Sequence, residues 1–125
     1  MIASFRDLKM WQAAVALAKE TYALTKKLPH EELFGLQSQM RRAVVSIASN
    51  IAEGSKRKTS KDFLQFLHIA NGSAAELETQ LYLVKEIYTN IDTRVADAHL
   101  ESVQKCSELT CERFMRIRTF ALSNL

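Results

Sequence analysis

A chain of 125 residues, 47% hydrophobic and 25% charged, is the size of one domain with ample material for a core. Its 3 Gly and 1 Pro leave too few turn formers for a sandwich or barrel, and its aliphatic content argues against disorder. The net charge of +3 is too small alone to indicate a nucleic-acid partner; no apolar run approaches the ~20 residues that span a bilayer, and the opening MIASFRDLKMW lacks a secretion signal's apolar segment.

The first helix is expected over residues 5–28, with Leu8, Trp11, Val15, Ala18, Tyr22 and Thr25 on one face and Leu28 before Pro29 at its end. A second should begin near Glu31 or Leu33, where two carboxylates suit a helix N-terminus. Its stripe is Leu33, Leu36, Met40, Ala43, Ile47 and Ile51, and Gly54 is expected to end it. Thr59 or Ser60 can cap a third helix, with Asp62 in its first turn. That helix carries the strongest periodicity in the chain: Phe63, Phe66, Ala70, Ala74, Leu77, Leu81, Val84, Tyr88 and Ile91. Gly72 interrupts it, as a close approach by a neighbouring helix would require. A break at residues 90–93 leads to a fourth helix over 93–121, with Ala96, Leu100, Val103, Cys106, Thr110, Phe114, Ile117 and Ala121 on its face. Cys106 and Cys111 lie five apart on that helix and point different ways, so a reduced pair in a cytoplasmic protein is expected.

Four amphipathic helices with short connections specify an all-α, antiparallel up-down-up-down four-helix bundle, a single domain over 1–125. Apolar residues outside the four stripes (Leu17, Leu24, Val44, Leu67, Leu83, Ile87) suggest a subunit interface.

On the second helix the run Gly35-Leu36-x-x-Gln39-x-Arg41-Arg42-Ala43-x-x-Ser46-Ile47-x-x-Asn50-Ile51-Ala52-Glu53-Gly54 stands out. With Phe5-x-x-Leu8-x-x-Trp11, Leu28-Pro29-x-x-Glu32 and Phe66-Leu67-x-x-Ala70-x-Gly72-Ser73-x-x-Glu76-Leu77-x-Thr79-Gln80-Leu81, it resembles a bacterial four-helix-bundle family. Members of that family are encoded in intervening sequences of large-subunit ribosomal RNA genes. The resemblance spans Phe5 to about Leu83. It departs at Ala48, where the family often has proline, so the second helix should run straighter. The resemblance implies a ring-like homopentamer and a family without established catalysis. It also implies kinship in architecture with the basic accessory protein of diversity-generating retroelements, which works with a reverse transcriptase and nucleic acid.

Arg42, Ser46, Asn50 and Glu53 form a polar ribbon along the second helix. Folding the second and third helices about residue 57 sets Arg42 near Ser73 and Glu76, and Asn50 near Gln65. These residues are expected to fix helix register or a subunit contact, with an Arg42–Glu76 pair closing it. The same topology gathers Arg6, Lys9, Lys56, Arg57, Lys58, Lys61, Arg113, Arg116 and Arg118 at one end, against Asp7, Glu53, Asp62 and Glu112. The opposite end holds Lys26, Lys27, Lys85 and Arg94 against Glu31, Glu32, Glu86, Asp92 and Asp97. The first end is a candidate phosphate-binding surface.

Catalytic patterns are missing. There is no Glu-x-x-His, no HExxH, no Cys/His cluster and no phosphate-cradling glycine loop; His30, His68 and His99 are isolated. No cofactor, metal site or membrane contact is expected. One enzymatic alternative is open: Arg94-Val95-Ala96-Asp97-Ala98-His99 has the Arg-x4-His spacing of a superfamily of small helical ribonucleases. The reading the sequence favours is a non-enzymatic, homo-oligomeric scaffold or adaptor whose partner is RNA, DNA or a nucleic-acid enzyme.

Overall fold

Four helices form close to where the residue pattern puts them, and at the third a side chain caps the first turn. A computed structural model describes residues 4–124, apart from the side chains of Asp7 and Arg118. A 3-10 turn at Phe5–Asp7 precedes α1 (Lys9–Thr25); a second turn at His30–Glu32 precedes α2 (Leu36–Ser55); then follow α3 (Ser60–Ile87) and α4 (Arg94–Ser123). Thr59 caps α3 by accepting the Asp62 N–H at 3.1 Å. α2 is unbroken through Ala48.

Each helix packs on two neighbours, α1 on α2 and α4, and α3 on the same two. Contacts that fall along one helix as they rise along the next make neighbours antiparallel: Ser46 meets Ser73 while Gly54 meets Phe63, and Asn71 meets Ser107 while Lys85 meets Asp97. The fold is the antiparallel four-helix bundle. Met40, Val44, Ile47, Ile51, Leu67, Leu77 and Val84 fill its centre with no more than traces of exposure. Burying each such side chain is worth about 1.5–3 kcal/mol relative to leaving it in water.

The core-facing side of α1 differs from the expected one. Met10, Ala14, Leu17, Thr21, Leu24 and Thr25 are buried, whereas Trp11 is half-buried and Tyr22 is exposed. α1 is apolar at so many positions that two overlapping three-four series exist. The one without aromatic rings packs against two neighbours at once. Trp11 instead stands edge-on to Phe5, with centroids 5.2 Å apart, and Tyr22 lies under the Arg41 guanidinium at 4.6 Å. Leu17, Leu24, Val44 and Leu67 are therefore core residues, and of the surplus apolar set only Leu83 and Ile87 are exposed. Leu33 is exposed as well, because α2 starts at Leu36, after the His30–Glu32 turn.

Two glycines behave differently from expectation. Gly54 lies within the last turn of α2 and does not end it: a Cβ there would stand 2.8 Å from Phe63 Cδ2 and from Phe66 Cβ. Its missing side chain lets the start of α3 close on α2. A methyl group on Gly72, by contrast, would have nothing within 4 Å, so no helix of this chain needs the space. Glycine inside a helix costs about 1 kcal/mol relative to alanine, and no packing within the fold offsets that cost. At the far end, α4 outruns its partners. Phe114 still packs edge-on against Phe63 at 5.4 Å, but Met115, Ile117, Phe120, Ala121 and Leu122 are exposed, which removes Ile117 and Ala121 from the expected stripe.

Candidate functional site

The antiparallel order brings the chain start, the α2–α3 connection and the C-terminal half of α4 to one end. A cleft of about 310 Å³ opens there, lined by Phe5 and Leu8, by residues 54–60, by Phe63 and by Phe114. Around it Arg6, Lys9, Lys56, Arg57, Lys58, Lys61, Arg113 and Arg116 are all exposed. Arg118 belongs to the same expected set, and its side chain lies outside the described residues. Aromatic faces hold two of the connection's cations: Lys56 Nζ sits 5.6 Å from the Phe5 centroid, and the Arg57 guanidinium 4.7 Å from that of Phe66. Arg57 also bonds Glu53 at 2.8 Å, and Arg116 lies 3.8 Å from Glu112. Exposed contacts of these kinds are each worth about 1 kcal/mol or less, so they bias the side chains without removing them from use. Among the described residues, Lys58, Lys61, Lys9 and Arg113 have no carboxylate within 4 Å.

The polar ribbon divides into a bonded part and an open part. Ser46 Oγ and Ser73 Oγ are 2.8 Å apart, and Asn50 Nδ2 donates to the Ser46 carbonyl at 2.8 Å and to its hydroxyl at 3.1 Å. Asn50 thus reaches back along α2 and not across to Gln65. The hairpin register is displaced by about five residues from the expected fold about residue 57. Phe63 and Phe66 straddle Gly54, which draws the first turn of α3 past the end of α2. Arg42 and Glu76 still share a groove of about 370 Å³ with Gln39, Ala43, Ser46, Ser73 and Gln80. Both are exposed, and among the described residues no ion pair within 4 Å joins them, in contrast to the expected closure. Glu53 takes no part in this network; it faces Arg57.

Two residues in this region escape the sequence reading. Arg41 ties α1 to α2, donating through Nε to Thr25 Oγ1 at 3.0 Å while stacking on Tyr22. Gln80 lines the groove at 8% exposure, and its Oε1 is buried without a hydrogen-bond partner. It lies seven residues after Ser73, two helical turns along the same side of α3, which is the signal that could have found it.

The Arg94/His99 pair is not assembled for chemistry. Arg94 is clamped by Asp92, with Nη2 to Oδ2 at 2.9 Å and Nε to Oδ1 at 3.1 Å. Arg94 hydrogen bonding holds the Asp92 carboxyl at about 2, and the same contacts raise the guanidinium's pKa. Five residues along a helix, at 100° each, separate the two side chains by about 140°. Among the described residues no group of three His, Cys, Asp or Glu could hold a metal, Cys106 and Cys111 are free thiols, and no helix is long and apolar enough to cross a membrane.

The arrangement is that of an all-α four-helix bundle with a cationic end and a polar α2–α3 seam. Residues 6–112 match the family described as 23S rRNA-intervening sequence protein, and the chain belongs to that family. A crystallised protein of unknown function, from the S23 ribosomal protein family of Bacteroides thetaiotaomicron, is similar in structure. Its TM-score is 0.67 at 24% identity, covering 82% of this chain and 95% of that one. At that identity the likeness speaks to the fold. No curated protein matches the chain. Neither description indicates a catalytic family.

Proposed function

We propose that this chain is a non-enzymatic homo-oligomeric scaffold or adaptor that acts in the cytoplasm and binds RNA or DNA non-specifically through its cationic end. The observation that carries the reading is the convergence of exposed lysines and arginines from the chain start, the α2–α3 connection and α4 around one cleft. A surface with a cationic surplus and no array of base-reading side chains attracts the phosphate backbone with little sequence preference, and each neutralised phosphate releases counterions. A homopentamer, as the family likeness implies, would set five such ends side by side and strengthen their field. Aromatic rings beneath Lys56 and Arg57 hold those cations outward, ready to meet phosphates.

Low-salt titration with unspecific single- and double-stranded RNA and DNA tests the reading. The variant Lys56→Glu/Arg57→Glu/Lys58→Glu is expected to lose about a hundredfold in affinity, and its log–log salt slope should flatten by about 2–3. Unchanged affinity would reject these residues as the contact. A salt-independent affinity in the native chain would reject the electrostatic mechanism.

A further inference from the structure

We propose that the cleft at the cationic end receives one unstacked base of a single-stranded nucleic acid, with Phe5, Phe63 and Phe114 taking the base and the surrounding cations taking the phosphates on either side of it. The proposal rests on the nucleic-acid reading above and names the form of nucleic acid that the site takes.

The walls of the cleft come from three segments that the antiparallel order brings together. Phe5 belongs to the turn before α1, Phe63 to the first turn of α3 and Phe114 to α4. All three are half-buried and line the cleft, with Leu8 beside them. Neighbours hold the rings in place. Phe5 stands edge-on to Trp11 at 5.2 Å, Phe63 stands edge-on to Phe114 at 5.4 Å, and Phe63 also lies against the bare backbone of Gly54. Rings fixed in this way need little further ordering when a ligand arrives. At about 310 Å³ the cleft lies at the small end of the ~300–1,000 Å³ range of ligand pockets, which suits one nucleotide and not a run of them.

Charge and apolar lining together select the occupant. Each ring has an exposed cation close to it in sequence: Arg6 next to Phe5, Lys61 two residues before Phe63, and Arg113 next to Phe114. Lys58, also exposed, stands in the connection that lines the cleft. An inserted base with a phosphate on each side can use cations from more than one wall, whereas a free nucleotide brings its phosphate from one side only. A duplex keeps its bases paired and stacked and leaves the rings uncovered; a single strand has bases to place against them. Charge alone acts in the opposite direction, because a duplex presents the denser array of phosphates. A preference for single strands therefore reports the rings and not the cations. Two hydroxyls of the lining are engaged within the chain: Ser55 donates to the Ala52 carbonyl at 2.7 Å, and Thr59 accepts the Asp62 N–H at 3.1 Å. Contact is thus through apolar rings more than through base edges, and base identity should matter little.

Fluorescence anisotropy with the full chain at one low salt concentration tests this on three probes: a short mixed-sequence single strand, its duplex, and the same strand made abasic. The native chain should bind the single strand about tenfold or more tightly than the duplex, and the abasic strand should lose that advantage. Phe114→Leu, with helix content checked by circular dichroism, should lower single-strand affinity about fivefold or more while duplex affinity moves by less than about twofold. Lys56→Glu/Arg57→Glu/Lys58→Glu should weaken both forms together. The abasic probe decides the matter on the native chain should the Phe114 variant fail to fold. Equal affinity for strand and duplex, or an abasic strand bound as well as the intact one, overturns the base in the cleft and leaves the cationic end as a phosphate contact. A mononucleotide that competes as well as the strand overturns the strand as occupant. Binding of none of the probes overturns the nucleic-acid reading itself.

Discussion

Where α1 passes to α2 and α3 to α4, charge is matched locally: Lys85 meets Asp97 at 2.8 Å, Asp92 clamps Arg94, and the Tyr88 hydroxyl donates to Glu32 at 3.0 Å. At the opposite pole the chain places nine cations against four carboxylates, and aromatic rings rather than carboxylates steady Lys56. Groups that satisfy each other stitch connections together, whereas a surplus held outward is available to something else. The two poles differ in charge balance: one is near neutral, the other carries a cationic surplus.

The largest expected effect contrasts the poles directly. Reversing Lys26 and Lys27, both exposed at the matched pole, should change low-salt nucleic-acid affinity by less than about threefold, against about a hundredfold for reversal at residues 56–58. Equal losses, measured by the same titration, would dissolve the distinction and leave only net charge. Next comes Gly54→Ala. The added methyl would sit 2.8 Å from Phe66 Cβ, an atom too near the backbone to swing aside, so α3 must shift. Destabilisation of about 1–3 kcal/mol is expected by urea unfolding despite alanine's better helix propensity, with the cleft at the cationic pole distorted. At the matched pole Tyr88→Phe should lower the urea midpoint by less, since it removes one hydrogen bond between the α3 end and the turn before α2. Burial, then the bond to Glu32 and the charges of Glu32 and Glu31, raise the Tyr88 pKa. Its contribution is therefore complete below about pH 10 and declines as pH climbs through the raised value.

Much of the fold is legible in the sequence alone, and the exceptions have physical causes. Along most of α2 and α3 the expected apolar stripe is the buried one, so their number, order and direction follow from spacing, as does the Thr59 cap. The exceptions are Val44, and the start of α3, where Leu64 and Leu67 take the core and leave Phe63 and Phe66 half-buried. α1 offers two competing stripes, and spacing cannot choose between them. That choice depends on which neighbours exist and on the rings of Trp11 and Tyr22 finding Phe5 and Arg41. The cationic pole is legible once topology is assumed, because it needs only to know which segments share an end. The polar seam is less so. Its register turns on how Phe63 and Phe66 seat on Gly54, a contact between side chain and missing side chain, and an orphaned oxygen such as that of Gln80 exists only in three dimensions.

The smallest effect probes the matched pole at its most exposed pair. Hydrogen bonds from the Arg94 side chain and backbone hold the Asp92 carboxyl at about 2, below its ordinary 3.8, partly opposed by desolvation. A folded pKa below the unfolded one means the stabilisation is present above about pH 4 and is lost as pH falls through about 2. Asp92→Asn should accordingly lower the thermal midpoint slightly at neutral pH, and the native and variant midpoints should converge near pH 2. An Asp92→Asn difference that stays constant from neutrality down to pH 2 would show that the turn at residues 92–94 is held by its backbone geometry, and that the pairing of charge there is a consequence of the fold rather than one of its fastenings.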